Sequence, residues 1–300
     1  MKIKPETHQL LASGGLILVA LLYAQQDIWI AKLVKNLDPL AITLWNFLVV
    51  LAVALAMSVR RLDKFQLPRS AWPDMLGLNV STFTTWIFTF FALQEGSPAV
   101  VAAATLSAPL LMRLVLFEKN HRRKASTYSF FAPMIIGLVV GATESNSATR
   151  VQSHTLIYCF LASLGVLGNS LFMKRLHSHS VSGESVVFYR FLLLVSSLAA
   201  YFLLQTGSLP KLDLPTNQLI ALAMITSYAP LVLLYYVHRH LEIITINVLL
   251  ALTPVFTIGL LVLGGGAGVV NRHQLISVVL ILFGVLAGYR QTLIRTKEAL

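Results

Sequence analysis

The amino-acid sequence predicts an all-α polytopic membrane protein: ten transmembrane helices forming two inverted five-helix repeats, with both termini cytoplasmic. Three observations carry that expectation. The 300 residues are 56% hydrophobic and 12% charged, against about 25% charged in soluble domains, and mean hydropathy is +0.75. The apolar residues gather into continuous runs of about 17–25, the length that carries a helix through roughly 30 Å of hydrocarbon. The second half of the chain echoes the first at an offset of about 145 residues, the kind of internal repeat that sets an architecture before any motif does.

The ten runs fall at about 10–31, 39–59, 73–93, 98–117, 128–143, 154–173, 185–204, 217–237, 244–263 and 273–290, lengths that suit membrane-spanning helices. They are continuous rather than alternating, which excludes a closed barrel as the alternative way to satisfy the backbone in lipid. The formal net charge of +11 invites a nucleic-acid reading, but the positions of the charges refute it. The clusters RRLDKFQLPR (60–69) and EKNHRRK (118–124) lie between spans, as expected where Lys and Arg are retained on the cytoplasmic side. With the N-terminus inside, Lys32, Lys35, Arg150, Lys211 and Arg272 fall outside and Arg190 falls within a span. The rest of the 23 Lys and Arg are on the inner side. The first apolar run has no small-x-small cleavage site before QQD, so it reads as a retained helix rather than a signal peptide. One cysteine, Cys159, leaves no intrachain disulfide and no cysteine metal cluster to expect.

The repeat sets residues 1–147 over residues 148–300. FFALQEGSPAVVAAATLSAPLL (90–111) lies over YYVHRHLEIITINVLLALTPVF (235–256), placing Phe90–Phe91 on Tyr235–Tyr236 and Pro109 on Pro254. LWNFLVVLAVALA (44–56) lies over FYRFLLLVSSLAA (188–200), so Asn46 meets Arg190, and Asp27 falls near Asn169. Five spans per copy, an odd number, require the second copy to enter the membrane upside down. Inverted repeats of this kind build secondary transporters, with a site between the halves.

The order of several short motifs resembles the drug/metabolite transporter superfamily, specifically its EamA-type ten-span branch, over residues 10 to 290. AKLVKNLDPL (31–40) resembles the family's Lys…Pro stretch after the first span. LSAPLLMRLVLFE (106–118) resembles its small-small-Pro segment with a later Glu, and APMIIGLVVG (132–141) its closing glycine helix. ALTPVF (251–256) and ILFGVLAG (281–288) repeat these features. Asn46 stands where the family usually has Arg, which only Arg190 keeps, and LGGGAG replaces the Glu after the second Pro. The resemblance implies movement of small metabolites, amino acids or drug-like compounds, commonly outward.

The candidate site residues follow from polar groups placed where lipid penalises them. Asp27, with Gln26, interrupts the first span, where a carboxylate costs roughly 2.5–3.5 kcal/mol at the centre and less near an interface. It reads either as a path-lining group that carries substrate or a proton, or as a side chain reaching for outer-side water. Asn79, Phe83 and Trp86 share one face of span three by their i, i+4, i+7 spacing. The repeat gives Phe83 the counterpart Tyr228, and Tyr235 pairs with Phe90, so these aromatics are expected to wall a cavity with a few polar groups. Pro109 and Pro254 interrupt the ladders of spans four and nine and are expected hinges, with Thr105 and Asn247 nearby on the path. Arg190 is either an anion-binding group or a structural partner of Glu184. HSH (177–179) and HRHLE (238–242) read as solvated loop edges, because His at i, i+2 do not share a helix face, and GGGAG (264–268) lacks the context of a phosphate loop.

These residues predict a secondary transporter of the cytoplasmic (inner) membrane, working by alternating access around a site built from spans one, three, four, six, eight and nine. Its partners are a small-molecule substrate and the lipid bilayer, with protons through Asp27 as the coupling ion, no nucleic acid, no metal and no cofactor. The glycine pairs Gly137/Gly141 and Gly284/Gly288 suit close helix packing, in a monomer or a homodimer alike. The alternatives from other classes are a membrane-embedded enzyme acting on a lipid or isoprenoid, and a non-transporting sensor.

Overall fold

A computed structural model describes residues 5–58, 67–105, 133, 136–137, 140, 153–212, 214–241, 243–264 and 272–298. The described residues form helices joined by short turns, with no strand among them. The first three are α1 (Pro5–Leu33), α2 (Pro39–Ser58) and α3 (Trp72–Glu95). Residues 98–105 are helical, and α4 spans Ser153–Ser178. Then come α5 (Gly183–Tyr189) and α6 (Leu192–Thr206), followed by α7 (Thr216–Leu222), a π-helical turn over Ala223–Tyr228, and α8 (Ala229–His240). The chain closes with α9 (Ile243–Leu250), α10 (Thr253–Leu263) and α11 (Arg272–Glu298).

Turn chemistry sets the boundaries. Asp38 Oδ1 accepts the Leu40 N–H at 2.9 Å, and Pro39 opens α2 at the one helical position where a missing N–H costs nothing. Pro73 sits in the first turn of α3, with Asp74 beside it complementing the positive end of the helix. Ser182 caps α5 by accepting the Ser185 N–H. Gly207 ends α6 at φ 70°, a left-handed conformation that a side chain would disfavour.

Among the described residues, six helices are long and apolar enough to cross a membrane: Leu10–Leu33, Pro39–Met57, Arg69–Glu95, His154–Ser178, Ser185–Thr206 and Thr216–His240. They coincide with predicted spans one, two, three, six, seven and eight. Predicted span nine is divided into α9 and α10 by a turn at Ala251–Leu252, one residue before the Thr253–Pro254 start of α10. Neither piece alone has the length of a spanning helix, because Pro254 cannot donate the bond that would join them. Predicted span ten is met by α11, whose apolar part covers Arg272–Gly284. Only residues 98–105 of predicted span four are described; most of span five, with Glu118 and Gly141, lies outside the described residues.

The core forms where α2, α3 and α6 meet. Phe47 stacks on Phe191 at 4.6 Å and tilts against Trp86 at 4.9 Å, with Phe90 alongside. The tightest pairing joins α3 to α4, at Gly165 and Gly168. A Cβ added at Gly165 would stand 2.6 Å from the Ser81 carbonyl oxygen, and one at Gly168 would overlap the Ser81 side chain. Glycine is therefore required here so that two backbones can touch. Ties at both ends hold the bundle in register. Trp45 Nε1 donates to the Pro210 carbonyl at 2.8 Å at one end. At the other, Asp74 faces Arg175 at 3.5 Å and His179 at 3.2 Å, and His8 contacts the Tyr236 hydroxyl at 3.1 Å.

Candidate functional site

A cavity of about 90 Å³ lies inside the bundle, walled by α1, α3, residues 98–105, α4, the junction of α5 and α6, α8 and α9. It runs from Asp27, six residues before the end of α1, to His238, two residues before the end of α8. The opposite ends of the bundle meet those two residues, so the cavity extends along the helix axes rather than across them.

Two ionisable side chains face it. Asp27 lines the wall, and no described side chain gives its carboxylate a hydrogen bond or an ion pair. Arg190 is 2% exposed and occupies the two-residue break between α5 and α6. Its Nε donates to Thr82 Oγ1 at 3.2 Å, its guanidinium lies 5.3 Å from the centre of the Phe191 ring, and one Nη has no partner among the described residues. Isolated buried charges are costly; here the cost is set against hydrogen bonding and ring contact rather than against a counter-ion.

The polar residues around these side chains form two open hydrogen-bonded triangles, in each of which one hydroxyl bonds two residues that do not bond each other. In one, Thr82 Oγ1 receives Arg190 and donates to Asn169 Oδ1 at 3.0 Å, while Asn169 Nδ2 donates to Thr85 Oγ1 at 3.0 Å. In the other, Ser227 Oγ accepts from Asn46 Nδ2 at 2.9 Å and from Gln26 Nε2 at 3.3 Å. Asn46 and Arg190 were aligned by the repeat, and Ser227 follows Thr82 at the same offset of about 145 residues. Each triangle thus joins matching spans: a residue of span two or seven, a hydroxyl of span eight or three, and an amide of span one or six, Gln26 being the neighbour of the Asp27 that the repeat sets near Asn169. One triangle is neutral and the other carries the arginine.

Other polar atoms at the wall stand ready for a ligand. Trp86 Nε1 is a buried donor with no partner among the described residues. His238 Nδ1 is 2.8 Å from the Leu234 carbonyl; a carbonyl only accepts, so Nδ1 carries the proton and the unpartnered Nε2 of the neutral ring presents a lone pair. Thr105 lies at the wall, 5% exposed. No group of three or more His, Cys, Asp or Glu converges among the described residues.

Of the expected site residues, the cavity brings together Gln26, Asp27, Trp86, Thr105, Asn169 and Arg190. Four others stand apart from its wall. Asn79 is a helix-break cap: its Oδ1 accepts the Leu193 N–H freed by the α5–α6 break, and its Nδ2 donates to Met75 O. Phe83 and Tyr228 pack against the main apolar core. Tyr235 donates its hydroxyl to the Val181 carbonyl and packs its ring on His177 at 4.3 Å. Asn247 lies on α9 with its side chain outside the described residues, as are Pro109, Arg113 and the Glu184 side chain.

The histidines correct the sequence reading. His238 is not a solvated loop residue but a buried one on α8, and His179 pairs with Asp74. Helix α8 runs on through His240, and His238 Nδ1 hydrogen-bonds back one turn, which offsets part of the penalty of burying it. Sequence reasoning also missed Tyr23, Thr85, Thr89 and Ser170 on the cavity wall. A scan for hydroxyls at helical spacing in span three, STFTTWIFT, carried the signal.

Comparison with known proteins shows what the chain is similar to. Residues 10–140 match the EamA-like transporter family. The chain is also 26% identical over 263 residues to an uncharacterized transporter from Archaeoglobus fulgidus, covering 84% of this chain and 86% of that protein. A solved crystal structure shares its fold, with a TM-score of 0.62 and 18% identity, over 96% of this chain and 98% of that one.

Proposed function

We propose that this chain is a secondary active transporter that moves a small metabolite, an amino acid or a related or drug-like compound, outward across the cytoplasmic membrane by alternating access. Membership of a transporter family over residues 10–140 and membrane-spanning helices agree with a membrane transporter. The observation that carries the finer reading is the cavity inside the bundle, lined by Asp27 and Arg190, two ionisable side chains with no ion pair among the described residues. An intramembrane ionisable residue facing a cavity marks a substrate or ion pathway. The paired triangles support two inverted halves, 1–147 and 148–300, and the interrupted helices at Arg190, at Ala223–Tyr228 and at Ala251–Leu252 give the second half places to bend. Pro254 is the expected hinge there, and Pro109 its counterpart.

Counterflow in proteoliposomes tests transport: a carrier gives accelerated exchange of a preloaded metabolite, whereas a sensor or a lipid-modifying enzyme gives none. Asp27 is the expected proton carrier. Replacing it with Asn should leave flux indifferent to an imposed pH gradient that drives the parent protein; a D27N protein that still follows the gradient rules out coupling through this residue.

A further inference from the structure

We infer that Arg190 is the substrate-binding residue for an anionic group, and that the metabolite moved through this cavity carries a carboxylate or a group of like size and charge. The inference rests on the transporter reading and names the ligand chemistry of that site.

A guanidinium this deeply buried is ordinarily matched by a carboxylate, because an uncompensated cation is expensive in a low-dielectric surround. Arg190 has none within ion-pair distance among the described side chains. Asp27 shares the cavity but is not its counter-ion. The side chain is nonetheless fixed: Thr82 accepts from Nε, the Phe191 ring lies beneath, and the helix break that carries it is capped by Asn79. Thr82 is itself held by Asn169. That leaves one Nη group on the cavity-lining side chain buried and without a partner among the described residues. A planar fork with free N–H groups recognises carboxylate geometry.

The neutral triangle supplies an internal control. Asn46 occupies the equivalent position, and its Nδ2 is spent on Ser227. Were the arginine only a packing element of the repeat, an amide would serve in both halves. The charge appears in one half alone, on the cavity wall.

The test uses the full-length protein in detergent and matched compounds: alanine, leucine and phenylalanine, their carboxamides, and the corresponding acids and amines lacking the second group. Binding is read from thermal stabilisation across a concentration series. In the parent protein at least one acid or amino acid should bind about tenfold or more tightly than its uncharged-end amide, the scale of a hydrogen bond to a charged group. Arg190→Gln should reduce that preference to less than about threefold while leaving amide binding in place, and Arg190→Lys should keep part of it. Equal binding of acid and amide, no binding by any carboxylate, or a preference that survives R190Q overturns the inference. Should R190Q fail to fold, R190K and Thr82→Val carry the test: the preference must fall in both, and an unchanged preference in both overturns it. Counterflow of amides and amines alongside acids sinks this inference and leaves the transporter reading standing. Acid-selective binding without counterflow does the reverse.

Discussion

The two hydrogen-bonded triangles use the same three kinds of position, but only one carries a charge, and the backbone beneath them differs. Around Ser227, Asn46 sits in an uninterrupted α2. Around Thr82, Arg190 sits where α5 gives way to α6. The hydroxyls differ in the opposite sense: Thr82 belongs to a regular α3, and Ser227 to the π-helical turn. A repeat can therefore preserve side-chain connectivity while placing backbone irregularity in one half. The second half holds the irregular segments that can be compared, and π-turns and broken helices in membrane proteins are tolerated where they line a cavity or are satisfied by neighbours.

The largest expected effect separates the charged triangle from the neutral one. Arg190→Gln should lower substrate exchange by about tenfold or more, whereas Asn46→Ala should change it by less than about threefold, because only the first removes a charged hydrogen-bonding group from the wall. Equal losses in initial counterflow rates would erase the distinction. Next is the seam that supports both triangles. Gly165→Val should destabilise the protein by at least about 1–3 kcal/mol in thermal unfolding, since the added Cβ must push α4 away from the α3 backbone.

A finer comparison removes the shared acceptor from each triangle. Thr82→Val should cost about 1.5–3 kcal/mol, the worth of a hydrogen bond to a charged group, and Ser227→Ala about 0.5–1.5 kcal/mol. Denaturation of the two variants side by side gives the order. A comparable effect concerns the cap. Asn79→Ala should cost about 1–2 kcal/mol by orphaning the Leu193 N–H, with slower exchange than stability loss explains if the break positions Arg190. Hydrogen exchange at Leu193 reports the cap directly.

Much of this was legible from residue order. The helices at spans one, two, three, six, seven and eight follow from apolar length, since lipid leaves the backbone no other way to satisfy its hydrogen bonds. Asp27 and Asn169 were paired by the repeat and do meet at one cavity. The face shared by Asn79, Phe83 and Trp86 was less informative. Spacing sets which side of a helix a residue occupies but not its depth, and only Trp86 reaches the wall. His238 was misplaced because a polar residue at the end of an apolar run looks solvated until its partner, the Leu234 carbonyl, is counted.

By itself, then, the sequence determined the medium, the long helices and the lineage of residues 10–140, because these depend on composition and local periodicity. Only tertiary structure decided which polar side chains are unpaired. Whether Arg190 is a neutralised structural group or an open one depends on what stands within about 3 Å of it, and that is set by the packing of α3, α4 and the α5–α6 break, not by its neighbours in the chain.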